Sequence, residues 1–372
     1  MLFIGVMSGT STDGVDAVLC RISHADSVQT VAHCSLPLPA ALRAEILALN
    51  SPGHNELHRA ALVANQLAQL YAQSCNKLLQ DSSYNAQHIT AIGVHGQTVR
   101  HAPHLGYTLQ LNAPALIAEL TGIAVIADFR SRDIAAGGQG APLVPAFHQA
   151  VFSHSTAPRL VLNLGGIANI SILQPQQPPQ GFDTGPANAL MDDWIKLHRG
   201  LDYDAQGAWA ASGTVIPELL QRLLSEPWLK LPPPKSTGRD LFNMGWLQGR
   251  IADISGKARF PQGEIAAVVG VQATLAAFTV ETIALAIADY ADDAKEIIVC
   301  GGGAYNTHLL QLLAARTKKP VRLSDELGIG AQQVEAAAFA WLAYAYWHDI
   351  PAGQPSITGA RHSSVLGALY KA

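Results

Sequence analysis

Several features that define common function classes are missing from this sequence. No block of lysine or arginine occurs in its 372 residues, and the formal charge is −4. A phosphate backbone is held by clustered cations, so this composition argues against DNA or RNA and for a small-molecule ligand. There is no CxxC pair, no HExxH motif and no Cys/His cluster, so zinc-type ligand spacing is missing. The histidines are scattered, and the closest plausible pair, His101 and His104, reads as surface. The four cysteines, Cys20, Cys34, Cys75 and Cys300, sit mostly in apolar runs and read as reduced structural thiols. No cationic region precedes the N-terminal apolar stretch, which stops at Ser8, so no signal peptide is expected and a cytoplasmic location follows by default. No apolar run is clean enough for a lipid-facing helix. The longest, residues 265–291, is interrupted by Gln272, Thr274, Thr279 and Glu281 and fits a buried helix, so no membrane partner is expected.

Charged residues make up only 14% of the chain, but apolar ones make up 49%, which excludes a disordered composition. The length suits two domains. "LFIGV" and "GVDAVLCRI" read as two strands around a Gly-rich turn, with "VQTVAHCSL" as a third. Helical spacing follows in residues 40–49 and 56–81. "PRLVLNLGGIANISIL" repeats the hairpin grammar in the second half, and "EIIVCGGGAYN" is a buried strand running into three glycines. The expected fold class is therefore α/β and duplicated, two domains around a central cleft, with the junction near residues 127–145.

Three turns carry the chemistry. The first, "MSGTSTDGVD", groups Gly9 and Gly14 with Ser8, Thr10, Ser11 and Thr12 and has no cation. Successive backbone N–H groups cradle an anion without a lysine, and Asp13 or Asp16 can hold magnesium through its water shell. A plain hairpin turn uses the same residue types. The second turn sets Gly165 and Gly166 between Asn163 and Asn169. The third, Gly301, Gly302 and Gly303, lets a flat ring or a sugar lie on bare backbone near a helix start.

In this order the three turns resemble the actin, sugar kinase and Hsp70 superfamily. The resemblance implies an actin-like (ribonuclease H-like) ATPase fold, with residues 1–130 plus 350–372 as one domain and 131–349 as the other. It makes residues 5–16, with Val15 among them, the first phosphate motif, 163–169 the second and 300–304 the adenosine motif. ATP with Mg2+ is the implied cofactor pair. More narrowly, "GVMSGTSTDGVD", "GVHGQTVRH", "DFRSRDIAAGGQGAPLVP", "NLGGIANIS", "FDTGPAN", "KSTGRDLF" and "CGGGAYN" resemble the anhydro-N-acetylmuramic acid kinase family across nearly the whole chain. That family's reaction opens the 1,6-anhydro ring of anhydro-N-acetylmuramate with water and phosphorylates O6, in peptidoglycan recycling. The resemblance also implies a homodimer. The rival readings are another amino-sugar kinase with no ring opening, and an Hsp70-like ATP clamp.

Within that resemblance Asp183 is the candidate general base; an N-cap for a helix starting at Pro186 is an equal reading of the same residues. Glu335, a lone carboxylate expected to be buried in an apolar helix, either orients sugar or water or is a satisfied core residue. Arg130 is a candidate fork for a lactyl carboxylate, with Arg132, Asp133 and Gly137 in the same Gly-rich stretch; an Arg/Asp brace at the domain junction is the alternative. His95, Gln97 and Thr98 are candidates for sugar hydroxyls, His95 equally a bonded loop residue. "KSTGRD", residues 235–240, either faces the sugar or caps a helix.

Overall fold

The computed structural model describes residues 1–9, 12–254 and 264–372. Its strands are β1 (Leu2–Met7), β2 (Gly14–His24), β3 (Ser27–Pro37), β4 (Ala91–Val94), β5 (Gln97–Ala102), β6 (Tyr107–Leu111) and β7 (Val125–Ala127). They continue as β8 (Arg159–Leu164), β9 (Ile167–Leu173), β10 (Gln180–Pro186), β11 (Glu296–Cys300), β12 (Val321–Leu323) and β13 (Ala368–Tyr370).

One plan is used twice. In the first sheet, ordered β13-β7-β4-β1-β2-β3, β1 to β3 form an antiparallel meander, and β4 then β7 add in parallel on the free side of β1. In the second, ordered β10-β9-β8-β11-β12, the meander is β8 to β10 and the parallel additions are β11 and β12. Both meanders were legible as hairpins because each has short apolar runs flanking a Gly-rich turn. The first sheet adds an antiparallel edge strand, β13 on β7, and β5 pairs with β6 as a separate ribbon.

The chain divides into two units, Met1–Val151 with Leu327–Ala372, and Phe152–Glu326. These limits differ from the expected ones of 130 and 349. The reason lies in the helix Val334–Trp347, which packs on the first sheet. Gly5 on β1 and Gly93 on β4 are register partners, and together they leave a bare strip on the sheet. A Cβ at Gly5 would lie 1.8 Å from the Ala336 carbonyl oxygen, and one at Gly93 2.0 Å from that of Phe339. Backbone therefore rests on backbone. The helix is buried almost throughout from Val334 to Ala345, and its many alanines match the close approach.

The long apolar helix, Glu264–Tyr290, forms the centre of the second unit and packs against β10 and the helices Asn188–Arg199, Ala208–Ala211, Pro217–Leu224 and Thr307–Thr317. Two of its threonines are bonded inside: Thr274 Oγ1 accepts from the Ile216 N–H and donates to the Gly270 carbonyl, and Thr279 donates to the Pro186 carbonyl. It is a core helix.

Replacing Gly93 with alanine should destabilise the protein by about 3 kcal/mol, the upper end of overpacking costs, because the new atom meets backbone and not a movable side chain. Thermal or urea unfolding checks this. An unchanged midpoint would mean that the helix lifts off the sheet without cost.

Candidate active site

In the first unit the ends of β1 and β4 gather most of the residues singled out from sequence. Ser8 and Tyr71 share a 2.7 Å hydroxyl–hydroxyl hydrogen bond, both fully buried. His95, just past β4, is buried, and its Nε2 accepts from Arg130 Nε and Nη2 at 3.1 and 2.8 Å. An acceptor Nε2 makes the ring a neutral imidazole protonated on Nδ1. Burial first, and the Arg130 charge second, hold its pKa well below the usual 6.5. Arg130 also donates to the Gly140 carbonyl at 2.7 Å. Its own pKa is drawn down to about 10 by enclosure, while the carboxylate charge of Glu335 works against that fall.

Glu335 corrects an expectation. It stands at the second position of the helix Val334–Trp347 and is exposed, not buried, although its neighbours Val334 and Ala336 are both buried. Its charge reaches Arg130. Phe339, one turn further on, lies against the His95 ring with centroids 4.8 Å apart.

Gln97 is 1% exposed. Its Nε2 donates to the Gly9 carbonyl at 3.1 Å, and among the described residues its buried Oε1 has no partner. A buried acceptor of this kind suits a ligand donor. The Thr98 hydroxyl accepts from Gln110 at 3.1 Å. Asp133 is fully buried and accepts from the Gly140 N–H and the Thr358 hydroxyl, both at 2.7 Å. It braces the loop whose Gly140 carbonyl holds Arg130. This is neither the ligand-facing Asp133 expected nor an Arg/Asp ion pair. Gly137, at φ +86°, lies against Arg361, where a Cβ would come within 2.7 Å of Nη1.

Thr10 and Ser11 lie outside the described residues. Around them the β1–β2 turn closes with a hydrogen bond from the Thr12 N–H to the Gly9 carbonyl, and Thr12 takes φ +55°. Asp13 is exposed, Gly14 pairs with Pro37 on β3, and the Val15 side chain is in the core, so only its backbone faces outward chemistry. Asp16 lies opposite Met7 and Ser35; partial desolvation raises its pKa, against a Ser35 hydrogen bond and the His33 charge. The turn has no cation in its own sequence, but the fold brings one. Arg43, from the helix Ala40–Leu49, donates to the Thr12 hydroxyl at 3.2 Å and lies 3.6 Å from the Asp13 carboxylate. Sequence reasoning missed it, since nothing local in residues 40–49 points to the turn.

In the second unit the other two turns come together. Asn163 and Cys300 are register partners across β8 and β11. The two-residue turn Gly165–Gly166 closes the β8–β9 hairpin, and its carbonyls accept from the N–H groups of Ala187, Asn188 and Ala189 at the start of the helix Asn188–Arg199. Gly301, at φ +84°, lies so close to this hairpin that a Cβ would be 2.4 Å from Asn163 Oδ1, and one on Gly303 would be 2.7 Å from Leu164 Cβ. Gly302 meets nothing within 4 Å, so its backbone is open.

Asp183 lies inside β10, beside a bulge between Asp183 and Gly185. The helix after it starts at Asn188 with Ala187 at its cap, so Asp183 is not a helix cap. Its Oδ2 accepts from Ser236 Oγ at 2.8 Å and the Thr237 N–H at 2.9 Å. Desolvation nevertheless leaves its pKa raised, the two hydrogen bonds and the Lys235 charge only moderating the rise. The "KSTGRD" segment thus faces Asp183 through its first three residues.

His148 is as firmly neutral as His95: burial takes its pKa down to about 3. Below pH 6.5 the unfolded chain binds protons on these two rings that the folded chain refuses, so their contribution to stability falls as pH drops from 6.5 towards 3. Urea unfolding at about pH 7 and about pH 5 should show a lower midpoint at the lower pH, with about two additional protons taken up on unfolding. Equal midpoints would mean that neither ring is held neutral.

Among solved structures, the activator of the 2-hydroxyisocaproyl-CoA dehydratase from Clostridium difficile with bound ADPNP is 11% identical, with a TM-score of 0.48 over 92% of this chain and 94% of that one. A ROK family glucokinase from Streptomyces griseus in complex with glucose and AMPPNP is 13% identical, with a TM-score of 0.42 over 91% and 98%. These likenesses are too remote to bear on the site. Sequence relatives are much nearer. The anhydro-N-acetylmuramic acid kinase of Bordetella petrii is 58% identical over 372 residues, covering 100% of this chain and 96% of that protein. That of Variovorax paradoxus is 53% identical, covering 100% and 99%. The family profile of anhydro-N-acetylmuramic acid kinase matches residues 1–372. With both chains spanned almost end to end and the sequence motifs set on two matching sheets, this chain belongs to the anhydro-N-acetylmuramic acid kinase family.

Proposed function

We propose that the protein is an ATP-dependent kinase that opens the 1,6-anhydro ring of 1,6-anhydro-N-acetylmuramate with water and phosphorylates O6, giving N-acetylmuramate 6-phosphate. Membership of the family over the full chain supports the activity. The observation that carries the mechanism is Asp183: a strand-borne carboxylate, half-buried, raised in pKa and bonded through one oxygen. A base needs those properties.

In this reading Asp183 takes one proton from water as the water oxygen bonds to C1. The C1–O6 bond breaks, and O6 takes the γ-phosphoryl group of ATP, leaving ADP and one proton. No acid is needed for the leaving oxygen, because phosphorus captures it. The neutral His95 and the open Gln97 Oε1 suit sugar hydroxyls or an amide N–H, Arg130 keeps N–H groups for a carboxylate, and the charge of Glu335 reaches Arg130. Arg130 is partly committed to His95 and Gly140, which fixes its plane. Backbone at the β1–β2 turn, the Gly165–Gly166 hairpin and Gly301 to Gly303 suits the nucleotide.

Among the described residues no three His, Cys, Asp or Glu side chains gather as a metal cage. Asp13 and Asp16 stand singly by the turn, which fits an Mg2+ held mainly by phosphate oxygens and water. Bound there, Mg2+ would neutralise phosphate charge. A cytoplasmic location, a homodimer and a role in peptidoglycan recycling complete the proposal.

Turnover of 1,6-anhydro-N-acetylmuramate with ATP in oxygen-18 water should put the label at C1 of a 6-phosphorylated product. Asp183→Asn should lower kcat by roughly 1,000-fold while both substrates still bind. Use of free amino sugars with no turnover of the anhydro sugar would sink this reading, and a near-normal Asp183→Asn rate would remove Asp183 from the base role.

A further inference from the structure

Two donors converge on one oxygen of the Asp183 carboxylate, and the segment that supplies them is anchored without it. The Asp183 N–H donates to the Lys235 carbonyl at 3.1 Å, Ser236 Oγ donates to Oδ2 at 2.8 Å, and the Thr237 N–H donates to Oδ2 at 2.9 Å. Among the described residues no hydrogen bond ends on Oδ1. On its other side the segment is tied to the short helical turn Pro227–Lys230. Trp228 Nε1 donates to the Ser236 carbonyl at 3.2 Å, Lys235 Nζ donates to the Leu229 carbonyl at 2.8 Å, and the same ammonium lies 4.6 Å from the Trp228 ring centre. The donors to Oδ2 are therefore not what holds the segment in place.

From this geometry we infer that Ser236 and the Thr237 backbone are positioning groups for Asp183, locking its carboxylate so that Oδ1 alone is presented to the reacting water. The inference rests on the reading of Asp183 as the base. A carboxylate on a flexible χ2 otherwise offers either oxygen over a wide range of directions. Fixing Oδ2 sets the direction of the proton-accepting lone pairs, which is worth most when water must attack C1 along one line.

The charges around the carboxylate are few. Lys235 is the cation whose field reaches it, and Asp289 acts on Lys235 in turn. No ion pair joins Lys235 to Asp183 among the described residues, since the ammonium is committed to Leu229 and Trp228. The neighbouring strand β9 places Asn169 opposite Asp183 and adds no charge. An ion-paired carboxylate would be a weaker base; a hydrogen-bonded and partly desolvated one keeps its basicity and gains direction.

Ser236 is exposed, so truncating its hydroxyl should leave the fold intact, which the melting temperature checks. The test measures kcat and KM against pH with 1,6-anhydro-N-acetylmuramate and ATP for the wild type, Ser236→Ala, Ser236→Thr and Asp183→Asn. Ser236→Ala should lower kcat by roughly 10-fold, the loss of one hydrogen bond to a charged group. It should leave KM for ATP unchanged and move the acid limb of kcat upward in pH, because a donor that lowers the Asp183 pKa is gone. Ser236→Thr should restore both. An unmoved acid limb and unchanged kcat in Ser236→Ala, alongside an inactive Asp183→Asn, would overturn the positioning role and leave the base intact. An active Asp183→Asn enzyme would instead overturn the base itself, whatever Ser236 does.

Discussion

The contact on which the first unit depends is backbone against backbone. Gly5 and Gly93, side by side on β1 and β4, remove the layer of side chains that normally separates a helix from a sheet. The alanine-rich helix Val334–Trp347 settles into that space, and two groups near the strand ends take their surroundings from the result. Phe339 reaches the His95 ring, and the start of the helix brings Glu335 within electrostatic range of Arg130. A helix held a few ångströms further out would leave His95 without its apolar wall and Arg130 without its compensating charge. Two glycines thus set the electrostatics of residues far away in sequence.

The second unit solves a different problem. There the close approach is between two turns, Gly301 and Gly303 lying on the end of β8 and its hairpin, while the Asp183 carboxylate is carried by the bulged strand β10. The edge position of β10 matters because one side of the strand has no ladder partner. On that open side the Asp183 N–H pairs with the Lys235 carbonyl, and the carboxylate accepts from Ser236 and Thr237 of the same segment.

Much of this was legible from residues. The two hairpins, the buried strand before three glycines and the helical stretches all followed from period and turn chemistry, and the structure has them. His95, Gln97 and Arg130 stand out in the sequence as polar residues after strand-like runs, and Asp183, which the structure puts inside β10, as a carboxylate in a Gly/Pro-bounded stretch. Other features were hidden for definite reasons. Glu335 looked buried because its helix is apolar on every side, whereas it is the one exposed position in an otherwise buried first turn. Asp133 looked like a ligand group because its bond to Thr358 spans 225 residues. Arg43 was invisible because its partners Thr12 and Asp13 lie across a turn. The boundary of the first unit was misplaced because helical periodicity shows that a helix is buried but not which sheet buries it.

The division of the chain between its two units also bears on synthesis. Residues 152–326 are contiguous, and everything their sheet requires has been made once β12 is complete. The first unit is split: its sheet is nearly finished by residue 127, yet the helix that covers Gly5 and Gly93 and the strand that protects β7 come only with the last forty residues or so. While the ribosome works through the middle of the chain, that sheet lacks one cover, and β7 has no partner on its outer side. The N-terminal unit is thus the last to be completed, and the nascent chain carries its strip of bare glycine backbone until the alanine-rich helix arrives to close it.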